Sequence, residues 1–168
     1  LEYTQDENVT AQIKGYPNAK TDLMKYCVEE VLNHTGLKGG AKIMAEPTMP
    51  LGMGLKSSSI AANAVCIAMV EALSRANDVD WCIDPLNGIE INHLDIVQLG
   101  INAAFKAGVT STGALDDASA SYFGGYMITD NLNRVIYKHG DIPDHHVLIY
   151  LPKNAREVSS GKVNMEYL

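Results

Sequence analysis

The longest apolar stretch of the chain runs from Ser57 to Arg75, and Ala61, Ala62, Ala64, Ala68 and Ala72 are spread through it. Alanine is the strongest helix former, and its small side chain lets neighbouring backbone approach closely. The stretch therefore reads as a long buried helix around which the rest of the chain must be arranged. Ahead of it lies the segment Pro47 to Gly54, with Pro47, Pro50, Gly52 and Gly54, which cannot continue either a strand or a helix. Ahead of that, Ala41 to Glu46 reads as a short strand ended by Pro47. Strand, glycine-rich loop and buried helix thus follow one another directly.

The remaining elements group around this unit. Val9 to Ile13 alternates loosely and predicts a strand. Leu23, Tyr26, Cys27, Val31 and Leu32 recur at helical spacing and predict a helix over Asp22 to Asn33, capped by Thr21 or Asn18 and stopped at Gly36. Asp84-Pro85 suits a helix start, and Asp95 to Lys106 a further helix closed by Gly108. Phe123 to Thr129 and Arg134 to Lys138 read as strands of a hairpin turning through Asp130-Asn131-Leu132-Asn133. His146 to Leu151 reads as one more strand, ended by Pro152. Early strands, central helices and late antiparallel strands favour an α+β fold over a doubly wound sheet.

Composition narrows the function classes. At 168 residues, 46% of them apolar, the chain has material for a core, and its net charge of −7 offers no basic patch. Duplex nucleic acid is therefore not an expected partner. Cys27, Cys66 and Cys82 are odd in number and widely spaced, which argues against a disulfide framework or a zinc site and for a reducing, cytoplasmic setting. Cys66 falls in the apolar helix and reads as a small buried hydrophobe. No run is judged long enough to span a membrane, and no signal peptide is expected at the start of the chain.

The segment Pro50-Leu51-Gly52-Met53-Gly54-Leu55-Lys56-Ser57-Ser58-Ser59 carries the clearest chemistry. A nucleotide triphosphate needs backbone N–H groups aimed at it with no side chain in between. Glycine permits that approach, and a helix N-terminus adds the positive end of its dipole. Lys56 can neutralise phosphate. One serine hydroxyl, assigned to Ser58, can ligate Mg²⁺, which prefers oxygen donors. The spacing is neither that of a Walker A loop nor that of a Rossmann fingerprint. On glycine content alone, a serine-capped strand-to-helix turn explains the segment equally well.

Pro-x-Gly-x-Gly-Leu-x-Ser-Ser resembles the nucleotide loop of the GHMP kinase superfamily. The form Gly54-Leu55-Lys56-Ser57-Ser58-Ser59 resembles its archaeal shikimate kinases, as does the run Thr112 to Gly125, with Leu115-Asp116-Asp117-Ala118 at its centre. Ile60 departs from the family, which has a small residue there. The resemblance implies a GHMP-kinase N-terminal-domain fold, a ribosomal-protein-like βαβ two-layer sandwich, here incomplete. It implies an ATP-binding domain over 1–150 without its first strands, with 151–168 opening the connection to a C-terminal domain. It implies a kinase that uses ATP and Mg²⁺ to phosphorylate the 3-hydroxyl of shikimate, in aromatic amino-acid synthesis. Homoserine- or mevalonate-type kinases, and a non-catalytic nucleotide-binding module, remain the alternatives.

Phosphoryl transfer to an alcohol is mainly positioning and charge neutralisation, with a carboxylate to orient or deprotonate the hydroxyl. Asp116 and Asp117 are the candidates. Adjacent helix residues point about 100° apart, so one of them faces the site. Alignment with the Asp-Asn pair of homoserine kinases favours Asp116, and one residue of loop variation would make it Asp117. Both also suit a plain helix cap. Gly124-Gly125 reads as letting the strand pass close to the loop or the substrate, or equally as a bulge. No further metal ligand has a motif, and Glu71 and Glu90 enter by elimination. His93, His145 and His146 read as surface or capping residues, and Trp81 as a residue packing a loop. A substrate carboxylate calls for an arginine, and Arg75, Arg134 and Arg156 are available without a motif.

Overall fold

The strand Gly40–Ala45 (β3) lies at the centre of a three-stranded sheet. On one side it pairs antiparallel with Glu2–Thr4 (β1), and on the other parallel with Val9–Ile13 (β2). Parallel neighbours need a crossover, which the helix Asp22–Thr35 (α1) supplies. The structure, a computed structural model, describes residues 1–49, 51–52, 54–78 and 91–150. The Asp84-Pro85 helix start, Trp81, Cys82 and Glu90 lie outside the described residues.

In α1 the apolar spacing is realised directly. Met24, Cys27, Val28, Val31 and Leu32 are buried, and Gly36 closes the helix at φ 68°. Thr21 precedes it without a side-chain cap. The alanine-rich stretch forms the helix Ser57–Asn77 (α2), whose Ala62, Val65, Cys66, Met69, Val70 and Leu73 join the α1 residues in the main core. The helix His93–Lys106 (α3) packs across α1 and α2. It starts two residues before Asp95, because Asn92 and Asp95 make a reciprocal capping box. The helix Leu115–Phe123 (α4) packs on α2 and α3 and carries the hairpin Tyr126–Asp130 (β4) and Val135–Gly140 (β5).

Several expectations are corrected. Phe123 ends α4 instead of opening β4, because Gly124 and Gly125, at φ 74° and 66°, break the chain between them. Gly125 meets neither the glycine-rich loop nor a bulge. A Cβ there would overlap the Gly140 carbonyl, and the hairpin's irregularity falls at Ile128/Thr129. Residues 146–150 form no strand and are exposed, since no described strand lies beside them to complete a ladder. β1, only three residues long, has no sequence signal of its own.

The expectation about membrane spans also needs correction. By length and composition α2 could cross a membrane, with 21 residues and a mean hydropathy of 1.4. Alanine raises that mean without a strongly apolar run. In this fold the helix lies in the core, with buried Asn63 on one face and the Glu71–Arg75 ion pair on another. Cys27 and Cys66 are fully buried. Contact with Cys27 first, and burial second, push the Cys66 thiol well above its ordinary value, which makes it inert.

Candidate functional site

Two helices begin on opposite walls of one cleft of about 400 Å³. On the first wall, Gly52 and Gly54 take left-handed backbone at φ 71° and 76°, and a Cβ on either would meet nothing within 4 Å. Their open side is what a close-lying ligand needs from a backbone. Lys56 follows as the N-cap of α2, also left-handed at φ 56° and without a side-chain cap. The first helical bond runs from Ile60 N to Lys56 O, so the N–H groups of Ser57, Ser58 and Ser59 begin the helix without intrahelical partners. On the second wall, Ala114 is the N-cap of α4, at φ 47° and again without a side-chain cap of its own. Two dipole ends and a lysine thus share one concavity, a setting that favours anions.

The walls meet through charge. Lys56 Nζ lies 2.8 Å from Asp117 Oδ2. The Asp117 hydrogen bond and charge, with Asp116 adding a smaller effect, hold the Lys56 ammonium above its ordinary 10.5. The lysine side chain is 61% exposed and the aspartate 20%. A pair this open adds little to stability, so its place in the cleft matters more than its energy.

The predicted loop residues fall as follows. Gly52, Gly54, Lys56, Ser57, Ser58 and Ser59 line the cleft. Leu55 is half-buried and off its wall, while Pro50 and Met53 lie outside the described residues. Asp117 lines the cleft and Asp116 does not. The Asp116 carboxylate accepts from Asn131 Nδ2 at 2.9 Å, and its N–H donates to Asn131 Oδ1 at 3.1 Å. Asp116 therefore fastens the hairpin turn to the start of α4. Glu71 is paired with Arg75, thirteen residues along α2 from Ser58, about 20 Å at 1.5 Å per residue. It does not belong to this site. His93 Nδ1 meets Tyr122 Oη at 2.7 Å and His145 Nδ1 meets Pro143 O at 2.8 Å, both away from the cleft wall.

Sequence reasoning missed other members of the wall. Thr110, Ser111 and Thr112 face the serines across the cleft. Thr110 and Thr112 also turn the loop by accepting from the N–H groups of Gly113 and Ala114. Asn63 lines the cleft from α2 and Gly100 from α3. A lone asparagine inside an apolar, alanine-rich helix was a legible signal. The hydroxyl run before Gly113 was not, since such runs are common in loops.

Comparison with known proteins places the chain in a family. The GHMP kinases N terminal domain matches residues 22–125. The shikimate kinase of Methanosarcina mazei is 41% identical over 167 residues, 99% of this chain and 51% of that protein. That of Methanothrix thermoacetophila is 41% identical over 85% of this chain and 44% of its own, and that of Halobacterium salinarum 38% over 88% and 47%. The chain spans about half the length of the curated relatives it matches. A crystal structure of homoserine kinase from Cytophaga hutchinsonii superposes with a TM-score of 0.57 at 19% identity, over 98% of this chain and 51% of that one, and shows the fold. With α1, the loop, α2, α3 and the aspartate helix all inside the matched span, the chain belongs to the GHMP kinases and carries their N-terminal domain.

Proposed function

We propose that the protein to which this chain belongs transfers the γ-phosphoryl group of ATP to the 3-hydroxyl of shikimate. The observation that carries the reading is the Lys56–Asp117 contact of 2.8 Å between the starts of α2 and α4. It brings together a cation, a carboxylate and backbone donors, the groups that phosphoryl transfer to an alcohol calls for. The curated relatives named shikimate kinase supply the acceptor.

On this reading the loop from Pro50 to Ser59 holds the phosphates, with Lys56 offsetting their charge. Asp117 orients the acceptor hydroxyl and takes its proton as the new P–O bond forms and the bond to the ADP oxygen breaks. Asp116, one residue away, holds α4 and the hairpin in register for that step. The donor set suits Mg²⁺. It offers serine and threonine hydroxyls and one carboxylate, and no cluster of three His, Cys, Asp or Glu exists among the described residues. Such a set matches an ion held by one or two protein oxygens together with substrate phosphates. Ser58 is the residue to hold it, and when bound it would neutralise phosphate charge. Residues 1–150 then form the ATP-binding unit, with 151–168 leading to a C-terminal domain, in a cytoplasmic enzyme.

ADP release by the intact protein, measured with shikimate, homoserine and mevalonate in turn, tests the proposal. Turnover with shikimate is expected. Turnover only with another acceptor would move the assignment within the family, and nucleotide binding without any acceptor turnover would leave a binding module.

A further inference from the structure

Asn63 is only 4% exposed, yet half of its hydrogen-bonding capacity is unused. Its Nδ2 donates to Ala118 O at 2.9 Å and to Ser121 Oγ at 2.8 Å. Ser121 Oγ in turn donates to Ala118 O at 3.0 Å. Both partners of the amide nitrogen are therefore acceptors, which fixes the orientation of the side chain. Its Oδ1 is buried without any partner, about where a Cβ on Gly100 would come within 3.5 Å.

A buried unmet acceptor carries an uncompensated desolvation cost, and an apolar side chain of similar size would avoid it. Ala118 O would keep the Ser121 hydroxyl and its place in the helical ladder, and Ser121 is exposed to water. For stability alone, then, asparagine is a poor choice at this position. What it does supply is a pair of side-chain hydrogen bonds that tie α2 to α4 below the cleft. Lys56 begins α2 and Asp117 directly precedes Ala118, the residue Asn63 holds.

We infer that Asn63 is a positioning residue, which sets the separation of the Lys56 ammonium and the Asp117 carboxylate by holding α4 against α2. The inference rests on the kinase reading only for its kinetic readout. Positioning errors near 1 Å are enough to slow a transfer step up to about a hundredfold.

The test is Asn63→Leu in the intact protein, with Asn63→Ala alongside in case the larger side chain prevents folding. Thermal unfolding, kcat, KM for ATP and the Lys56 Nζ–Asp117 Oδ2 separation in a crystal structure are measured for each. The expected result is an unchanged or raised Tm, kcat lower by about tenfold or more, KM for ATP within about threefold, and a separation that no longer holds the 2.8 Å contact. Unchanged kcat with an unchanged Lys56–Asp117 separation would overturn the inference. So would a Tm that falls in step with activity, or failure of both variants to fold, since either result makes Asn63 a structural residue. If the wild-type protein does not phosphorylate shikimate, the kinase reading fails, and the Lys56–Asp117 separation still decides the role of Asn63.

Discussion

At Asp117 the carboxylate faces a lysine across a cleft, and at Asp116 it faces an asparagine on a hairpin turn. One peptide bond separates the two roles because adjacent helical side chains diverge by about 100°. Asp117→Asn in the intact protein should lower kcat at least about a hundredfold while nucleotide still binds. Asp116→Asn keeps an acceptor for Asn131 and should cost less than about tenfold. Steady-state kinetics beside ATP titration separate the two, and equal losses would mean that the cleft does not assign the base. Lys56 gives a pH prediction. Its pKa is raised in the fold, so its stabilising contribution is whole below 10.5 and fades as pH rises through the higher folded value. Because the pair is open to water, the Tm difference between wild type and Lys56→Met should be small, largest below pH 10.5 and fading above it.

The elements explain how two distant segments reach one cleft. α2 brings the loop because strand, glycines and buried helix are consecutive. α4 brings the aspartate because Leu115 and Ala118 pack beneath it with Val97 and Ile101 of α3. The hairpin then braces α4 through Asn131, while Asp130 closes its own turn by accepting from the N–H groups of Leu132 and Asn133. Gly125 joins helix to hairpin at φ 66°, with no room for a Cβ beside Gly140. Gly125→Ala should destabilise the protein by about 2 kcal/mol or more. Hydrogen exchange should show the loss in β4 and β5 first, and a uniform loss would place the hairpin in the same cooperative unit as the core.

At the scale of the whole molecule, the described residues form two apolar clusters, one between the sheet and α1, α2 and α3, the other under α4, with Tyr122 packed against both. The larger sets stability and the smaller sets the aspartate. Leu73, fully buried four turns down α2 from the loop, tests that division. Leu73→Ala should cost about 2–5 kcal/mol in urea unfolding, with kcat per folded molecule unchanged. A fall in kcat per folded molecule would show that the far end of α2 reaches the cleft.

The local elements were legible in the chain itself. Apolar spacing marked α1, alanine content marked α2, and proline and glycine marked the loop between strand and helix, since each depends on neighbours within a few residues. The Thr112–Gly125 run marked the family for the same reason. What needed the tertiary structure was every choice between equivalents. Asp117 over Asp116 depends on how α4 is rotated by its packing. The exclusion of Glu71 depends on its distance along α2, and the importance of Asn63 on which carbonyl the fold brings against it. The supposed strand at 146–150 failed for a related reason, because a strand exists only through a partner that its own residues do not specify. The sequence by itself therefore determined that a glycine-rich loop precedes a buried helix. Only the packing of α4 on α2 and α3 decided which carboxylate that loop meets.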